Sequence, residues 1–255
     1  MFGLGLNPSH TTECGIFGSY TALELDGNGA YVRIGDEFIN DVNMNSGTAS
    51  IWINIRENNA SGSQVIFRIT DDSTNNGVTL QYAKNYTEFR AVYRLDATYK
   101  EATYNEVSFD HEAYMDQGWI NLAMTWVSDG AGSGEVKIYY NGTLKETVAQ
   151  TSNWASDGSD QIDVANIGSN DGGESSFVDG YIDQAAFYNM VKTDEAITSI
   201  YNEGIKPDLT TSFGNYDPSG LIGYYQFEKN FLDSSIRGND AGSVNSTRFT
   251  PIEST

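Results

Sequence analysis

Cysteine is almost missing from this sequence: a single residue, Cys14, stands among 255. One thiol excludes an intramolecular disulfide, a cysteine-built zinc site and an iron–sulfur centre. There are only two histidines, His10 and His111. Neither has a serine or cysteine in a recognisable nucleophile setting, so a catalytic triad has no support. Positive charge is scarce too, with 14 Lys and Arg against 35 Asp and Glu, a formal net charge of -21. A surface this negative repels phosphate backbones, which argues against a nucleic-acid partner. No stretch approaches the roughly 20 apolar residues that cross a bilayer, so no membrane partner is expected. The opening "MFGLGLNPSH" lacks the basic and apolar runs of a signal peptide. A soluble protein made in a reducing compartment is the expectation.

What the chain has in quantity is strand and turn material: 16 Tyr, 12 Phe and 26 Gly, with only four Pro. The runs 50–56 (SIWINIR), 64–70 (QVIFRIT), 77–83 (GVTLQYA) and 88–95 (EFRAVYRL) carry β-branched and aromatic residues at strand density. Polar or Gly-bearing turns separate them. The cadence continues through 119–127, 135–140, 143–149 and 180–189. Asn141-Gly142 between two such runs predicts a type I′ hairpin, because both residues accept positive φ. One segment reads as helix: Thr193 can cap it, Asp194 and Glu195 favour its positive end, and Gly204 suits the C′ position. A strand returns at 221–227. The residues that follow are too few to bury a second core.

The stretch "LELDGNG" raises a chemical question, since Glu24 and Asp26 share one face of a strand. Together with "GTASIWINI", "GWINLAMTWV", "GEVKIYYNGTLKET" and the closing "FVDGYIDQAAFYNMVKTDEAITSIYNEG", it resembles laminin G-like, concanavalin A-like jelly-roll domains. The resemblance spans residues 20–204 and implies an all-β, two-sheet antiparallel sandwich with one short helix near 193–203. It divides the chain into an N-terminal arm (1–19), a jelly roll (20–228) that includes the late strand 221–227, and a polar C-terminal tail (229–255). The β-glucanases of this fold carry Glu-x-Asp-x-x-Glu; here the last position is Gly29. Retaining hydrolysis needs two carboxyl groups about 5 Å apart, so no catalytic residue is assigned and the stretch reads as a strand entering a turn.

Two candidate sites follow. In resembling domains an early loop and a late strand acid together hold calcium, which nominates Asp26, Asn28 and Asp183 as metal ligands. The competing readings are turn chemistry for Asp26 and, for Asp183, a buried carboxylate that pins a loop. Alternation places Asp183 on the face of Tyr181 and Ala185. The second site is Trp154, which lies in a polar stretch without strand period. Its ring could stack on a sugar, with Asn153 and Asp157 bonding hydroxyls; the competing reading folds the ring back over the sheet.

The segment "LIGYYQFEKNFLDSSIRGNDAG" after the last block, and the chain's opening, are similar to laminin G-like proteins of tailed bacteriophages. This implies a virion structural protein, a capsid decoration or a tail or head appendage, assembled in the host cytoplasm. Its expected partners are other virion proteins, copies of itself and a host-surface glycan. A carbohydrate-binding adhesion domain from an exported bacterial protein is the alternative.

Overall fold

The computed structural model describes residues 21–251, apart from 57–61, 84–87, 96–97, 106–117, 129–132, 153, 155–161, 171–174 and 246. The arm 1–19 therefore lies outside the described residues. Fifteen strands form two antiparallel sheets. Sheet A holds β1 (Thr21–Asp26), β3 (Ser46–Ile55), β8 (Ile120–Val127), β9 (Gly134–Tyr140), β10 (Thr143–Gln150), β12 (Asp179–Tyr188), β13 (Leu221–Tyr225) and β15 (Arg248–Pro251). Its order is β10-β9-β8-β3-β12-β1-β15, with β13 beside the far half of β12. Sheet B holds β2 (Tyr31–Ile34), β4 (Ser63–Thr70), β5 (Gly77–Ala83), β6 (Glu88–Leu95), β7 (Thr98–Asn105), β11 (Val164–Ile167) and β14 (Ala241–Val244), in the order β14-β2-β11-β4-β5-β6-β7.

The strands expected from period 2 are present, and the alternation that predicted them fills the space between the sheets. Leu23 and Leu25 of β1, Ile51 and Ile53 of β3, Leu80 of β5 and Phe187 of β12 meet in one core. Phe187 lies edge-on to both Phe38 and Phe67, with ring centres 5.4 and 5.3 Å away. Phe38 belongs to a short helix, α1 (Asp36–Asp41), not anticipated from the sequence.

The β9–β10 hairpin turns at Asn141 (φ 47°) and Gly142 (φ 70°), as type I′ geometry requires. A Cβ at Gly142 would also lie 2.8 Å from Tyr201 Cβ. The second helix, α2 (Asp194–Tyr201), begins where expected, with the Thr193 hydroxyl accepting the Ala196 N–H. It ends earlier than Gly204, because Asn202 adopts the left-handed conformation at φ 46°. Ile197 and Ile200 of α2, with Leu209 and Tyr216 of the following loop, cover Tyr188 and Tyr224 on the outer face of sheet A.

Three expectations differ from the structure. Residues 241–244 and 248–251 are not an extended tail: β14 pairs with β2 and β15 with β1, so each becomes the edge of a sheet. Phe249 anchors this end through Phe231, ring centres 5.0 Å apart. Ala185 does not share a face with Asp183. A register shift between Asp183 and Ala186, with Gln184 at φ 44°, turns Ala185 inward to the core beside Ile182 and Phe187. The third is β7, which the sequence reading missed. Its edge is tied across to β10 by Glu146, which accepts the Thr103 N–H.

Candidate functional site

Directly opposed residues in antiparallel strands share a face, so the register defines a row on the outer side of sheet B. Arg33 opposes Asn166, Asn166 opposes Arg68, Arg68 opposes Thr79, and Thr79 opposes Val92. In the neighbouring rows Gly77 opposes Arg94, Arg94 opposes Tyr99, and Gln81 opposes Arg90. The inward residues of these strands, among them Phe67, Leu80 and Tyr93, belong to the core. Their outward partners form an open hollow of about 110 Å³. Gly77, Thr79 and Val92 line it together with Arg68, Asn75, Gln81, Arg94 and Tyr99.

Arg68 is the most constrained of these side chains, 9% exposed. Its Nε donates to Thr70 Oγ1 at 3.0 Å and its Nη2 to Asn75 Oδ1 at 2.6 Å, while Nη1 donates to Asn170 Oδ1. Asn75 is held in turn by a tight loop. The Asp71 carboxylate accepts the Ser73 N–H and hydroxyl and the Thr74 N–H. Burial works against that charge, yet these bonds hold Asp71 below the usual carboxylate range. On the other side, Arg90 is tied to Glu88 and Glu101, and the Tyr99 hydroxyl donates to Glu101. Arg94 is exposed and makes no ion pair with any described residue. Tyr99 is 53% exposed, an aromatic plate at the rim. The hollow thus offers guanidinium and amide donors, amide and hydroxyl acceptors, and one apolar ring face.

The residues nominated from sequence lie elsewhere. Asp26 ends β1 and accepts the Asn28 and Ala30 N–H groups at 2.9 and 3.3 Å, which is turn chemistry. Its partner across the ladder is Asp179. Asp183 lies four residues further along β12, about 13 Å away at strand rise. Asp183 is 1% exposed, accepts the Gln184 N–H, and binds Lys206 Nζ at 2.6 Å. Calcium takes six to eight oxygens around one centre. Asp26, Asn28 and Asp183 do not converge, and an ammonium already holds one Asp183 oxygen, so these three residues do not fit a calcium ion. Asp183 instead pins the segment after α2, where Lys206 also lies 3.6 Å from the Trp119 ring centre. Burial pushes the Asp183 carboxyl up to about 6 against the pull of Lys206.

Trp154 is not a sugar platform. It is 5% exposed and part of the core between the sheets, with its N–H donated to Asn45 Oδ1 at 2.9 Å. Burying a large apolar ring outweighs the polarity of its neighbours in sequence. Asn153 and Asp157 lie outside the described residues. Glu24 accepts from Arg56 Nη1 at 2.8 Å and from Thr250 Oγ1 at 2.6 Å. The Thr250 bond and Arg56, against burial, hold its carboxyl below the ordinary range, which disqualifies it as a general acid.

Sequence reasoning passed over Arg68, Gln81, Arg94 and Tyr99. Their signal was the alternate positions of three strands already identified: Arg in "QVIFRIT", Thr and Gln in "GVTLQYA", two Arg in "EFRAVYRL". Polar residues on the outward side of strands look like ordinary solvated surface until the register brings them together.

Two antiparallel sheets packed face to face, with a polar hollow on one outer face, define a lectin-type sandwich. The chain belongs to the concanavalin A-like lectin/glucanases superfamily, whose laminin G-type family model matches residues 26–198. Among curated proteins, none has a matching sequence. Among solved structures, a Bacteroides ovatus protein inferred to bind carbohydrate superposes with a TM-score of 0.63 at 14% identity, over 92% of this chain and 60% of its own. The chain therefore spans well under two thirds of that protein. The heptameric SAP-like pentraxin of Limulus polyphemus gives a TM-score of 0.54 at 11% identity, covering 91% of this chain and 95% of its own. The CBM40 module of a Ruminococcus gnavus sialidase, bound to α2,3-sialyllactose, gives 0.52 at 15% identity, covering 72% of this chain and all of its own. Likeness at this identity shows a shared fold.

Proposed function

We propose that the protein is a non-enzymatic, lectin-like module that binds carbohydrate in the hollow on the outer face of sheet B. The observation that carries this is the composition of that hollow. Fixed donors and acceptors from Arg68, Asn75, Thr79 and Gln81 surround an apolar floor beside the exposed Tyr99 ring. Sugars present hydroxyls around their edge and C–H groups on their faces, and each has a counterpart here. The non-enzymatic half is supported by Glu24, held as an ion by Arg56 and Thr250 with Gly29 where hydrolases of the fold place a second Glu. The likenesses to a carbohydrate-binding module and a pentraxin point the same way.

The setting we propose is the particle of a tailed phage, as a capsid decoration or a tail or head appendage. The protein would be assembled in the host cytoplasm beside other virion proteins and copies of itself, facing a host-surface glycan. The sequence blocks at 221–242 and at the start of the chain support it. The likeness to the Bacteroides ovatus protein favours a second setting, an adhesion module of an exported bacterial protein. Mass spectrometry of purified particles separates the two. For the binding itself, a glycan array probed with the full chain should give selective signals. Tyr99→Ala should weaken them about fivefold or more, as removal of an aromatic anchor does. No signal on any glycan would overturn the reading.

A further inference from the structure

The ligand class follows from the charge around the hollow. Acidic residues outnumber basic ones 35 to 14 along the chain, yet the hollow is lined by two guanidinium groups, Arg68 and Arg94, and by no carboxylate. Four of the chain's seven arginines, Arg33, Arg68, Arg90 and Arg94, lie on this one outer face. They are not equivalent. Arg90 is tied to Glu88 and Glu101, so its charge is locally balanced. Arg94 is exposed beside Tyr99 and makes no ion pair with a described residue. Arg68 is fixed in orientation by Thr70, Asn75 and Asn170, all neutral acceptors that leave its charge in place.

We propose that the hollow binds an acidic sugar, whose carboxylate or sulfate group pairs with the Arg94 guanidinium in the field of Arg68. This rests on the carbohydrate reading above and names its substrate class. A guanidinium presents two parallel N–H groups matched to a planar or tetrahedral oxyanion, which a lysine cannot reproduce. The sugar ring that carries the acid then lies over Thr79 and Val92, with Gln81 within reach of its hydroxyls and Tyr99 at its edge. The protein's overall negative charge does not forbid this. At physiological salt, charges further than about 8 Å from the hollow are screened, and the nearby pair of arginines sets the local potential.

The test is isothermal titration of the full chain with sialyllactose, a glucuronate-ended oligosaccharide, sulfated lactose, plain lactose and a short DNA strand. At least one acidic sugar should bind about tenfold or more tightly than lactose. Arg94→Ala should bring that sugar down to the level of lactose without changing the melting temperature, and Arg94→Lys should restore only part of the difference. Preference for the carboxylates or for the sulfate identifies which acid the site takes. Lactose binding as tightly as the acids, with Arg94→Ala unchanged, overturns the acidic-sugar proposal and leaves the carbohydrate reading standing. Acid binding that survives Arg94→Ala, or DNA bound as tightly as the sugars, also overturns it. Silence towards every sugar overturns both.

Discussion

Replacing Asp183 with Ala should lower the stability of the folded protein by about 3–5 kcal/mol at pH 7, the cost of removing one member of a buried ion pair. The Lys206 ammonium, 18% exposed, would lose the carboxylate 2.6 Å away and keep only the Trp119 and Trp52 rings. The same change strips the Gln184 N–H of its acceptor at the β12 bulge. Urea denaturation read by tryptophan fluorescence measures the loss, and a midpoint unchanged from wild type would contradict the pinning role. The pair also carries a pH signature. With a folded value of about 6 against an ordinary 3.8, Asp183 holds its proton more tightly in the folded state. Its contribution to stability is full below the unfolded value and is lost as pH rises through about 6. The difference between wild type and Asp183→Asn should therefore shift against the wild type from pH 4 to pH 7.

Trp154→Ala should cost about 3–5 kcal/mol, the range for truncating a large buried aromatic side chain. The ring is 5% exposed in the core between the sheets. Were the ring a sugar platform, the same substitution would leave stability nearly unchanged and abolish binding. The expected result is the reverse: a large drop in denaturation midpoint, with glycan affinity retained wherever the variant remains folded.

The contrast between Trp154 and Tyr99 shows how far the sequence reaches here. Strands β3 to β6 and β8 to β10 announce themselves through alternation, and α2 through the Thr193 cap, because both signals are local. Trp154 sits among polar neighbours and suggests exposure. Its burial depends on Asn45, 109 residues earlier, which accepts its N–H. The β12 bulge was equally hidden, since Gln184 adopts a positive φ without a glycine to mark it. Edge strands β14 and β15 are four residues each, with half-buried or exposed side chains, and only their pairing with β2 and β1 makes them strands. The hollow is the extreme case. Its residues come from separate strands and a turn, each unremarkable alone, and the register of sheet B assembles them. Asp183 sits between these cases, because a charge on a strand declares that it has a partner without naming Lys206.

The most direct measurement of the central claim is the footprint of a bound glycan, mapped by backbone amide and arginine side-chain NMR shifts during titration with the best ligand from the array. The account predicts shifts concentrated on the outward residues of β4 to β7, with the Nε–H signals of Arg68 and Arg94 among the largest, and Asp26, Trp154 and the α2 face unmoved. Shifts centred on sheet A or on the Asp26 turn, with the Arg68 and Arg94 signals still, would contradict it.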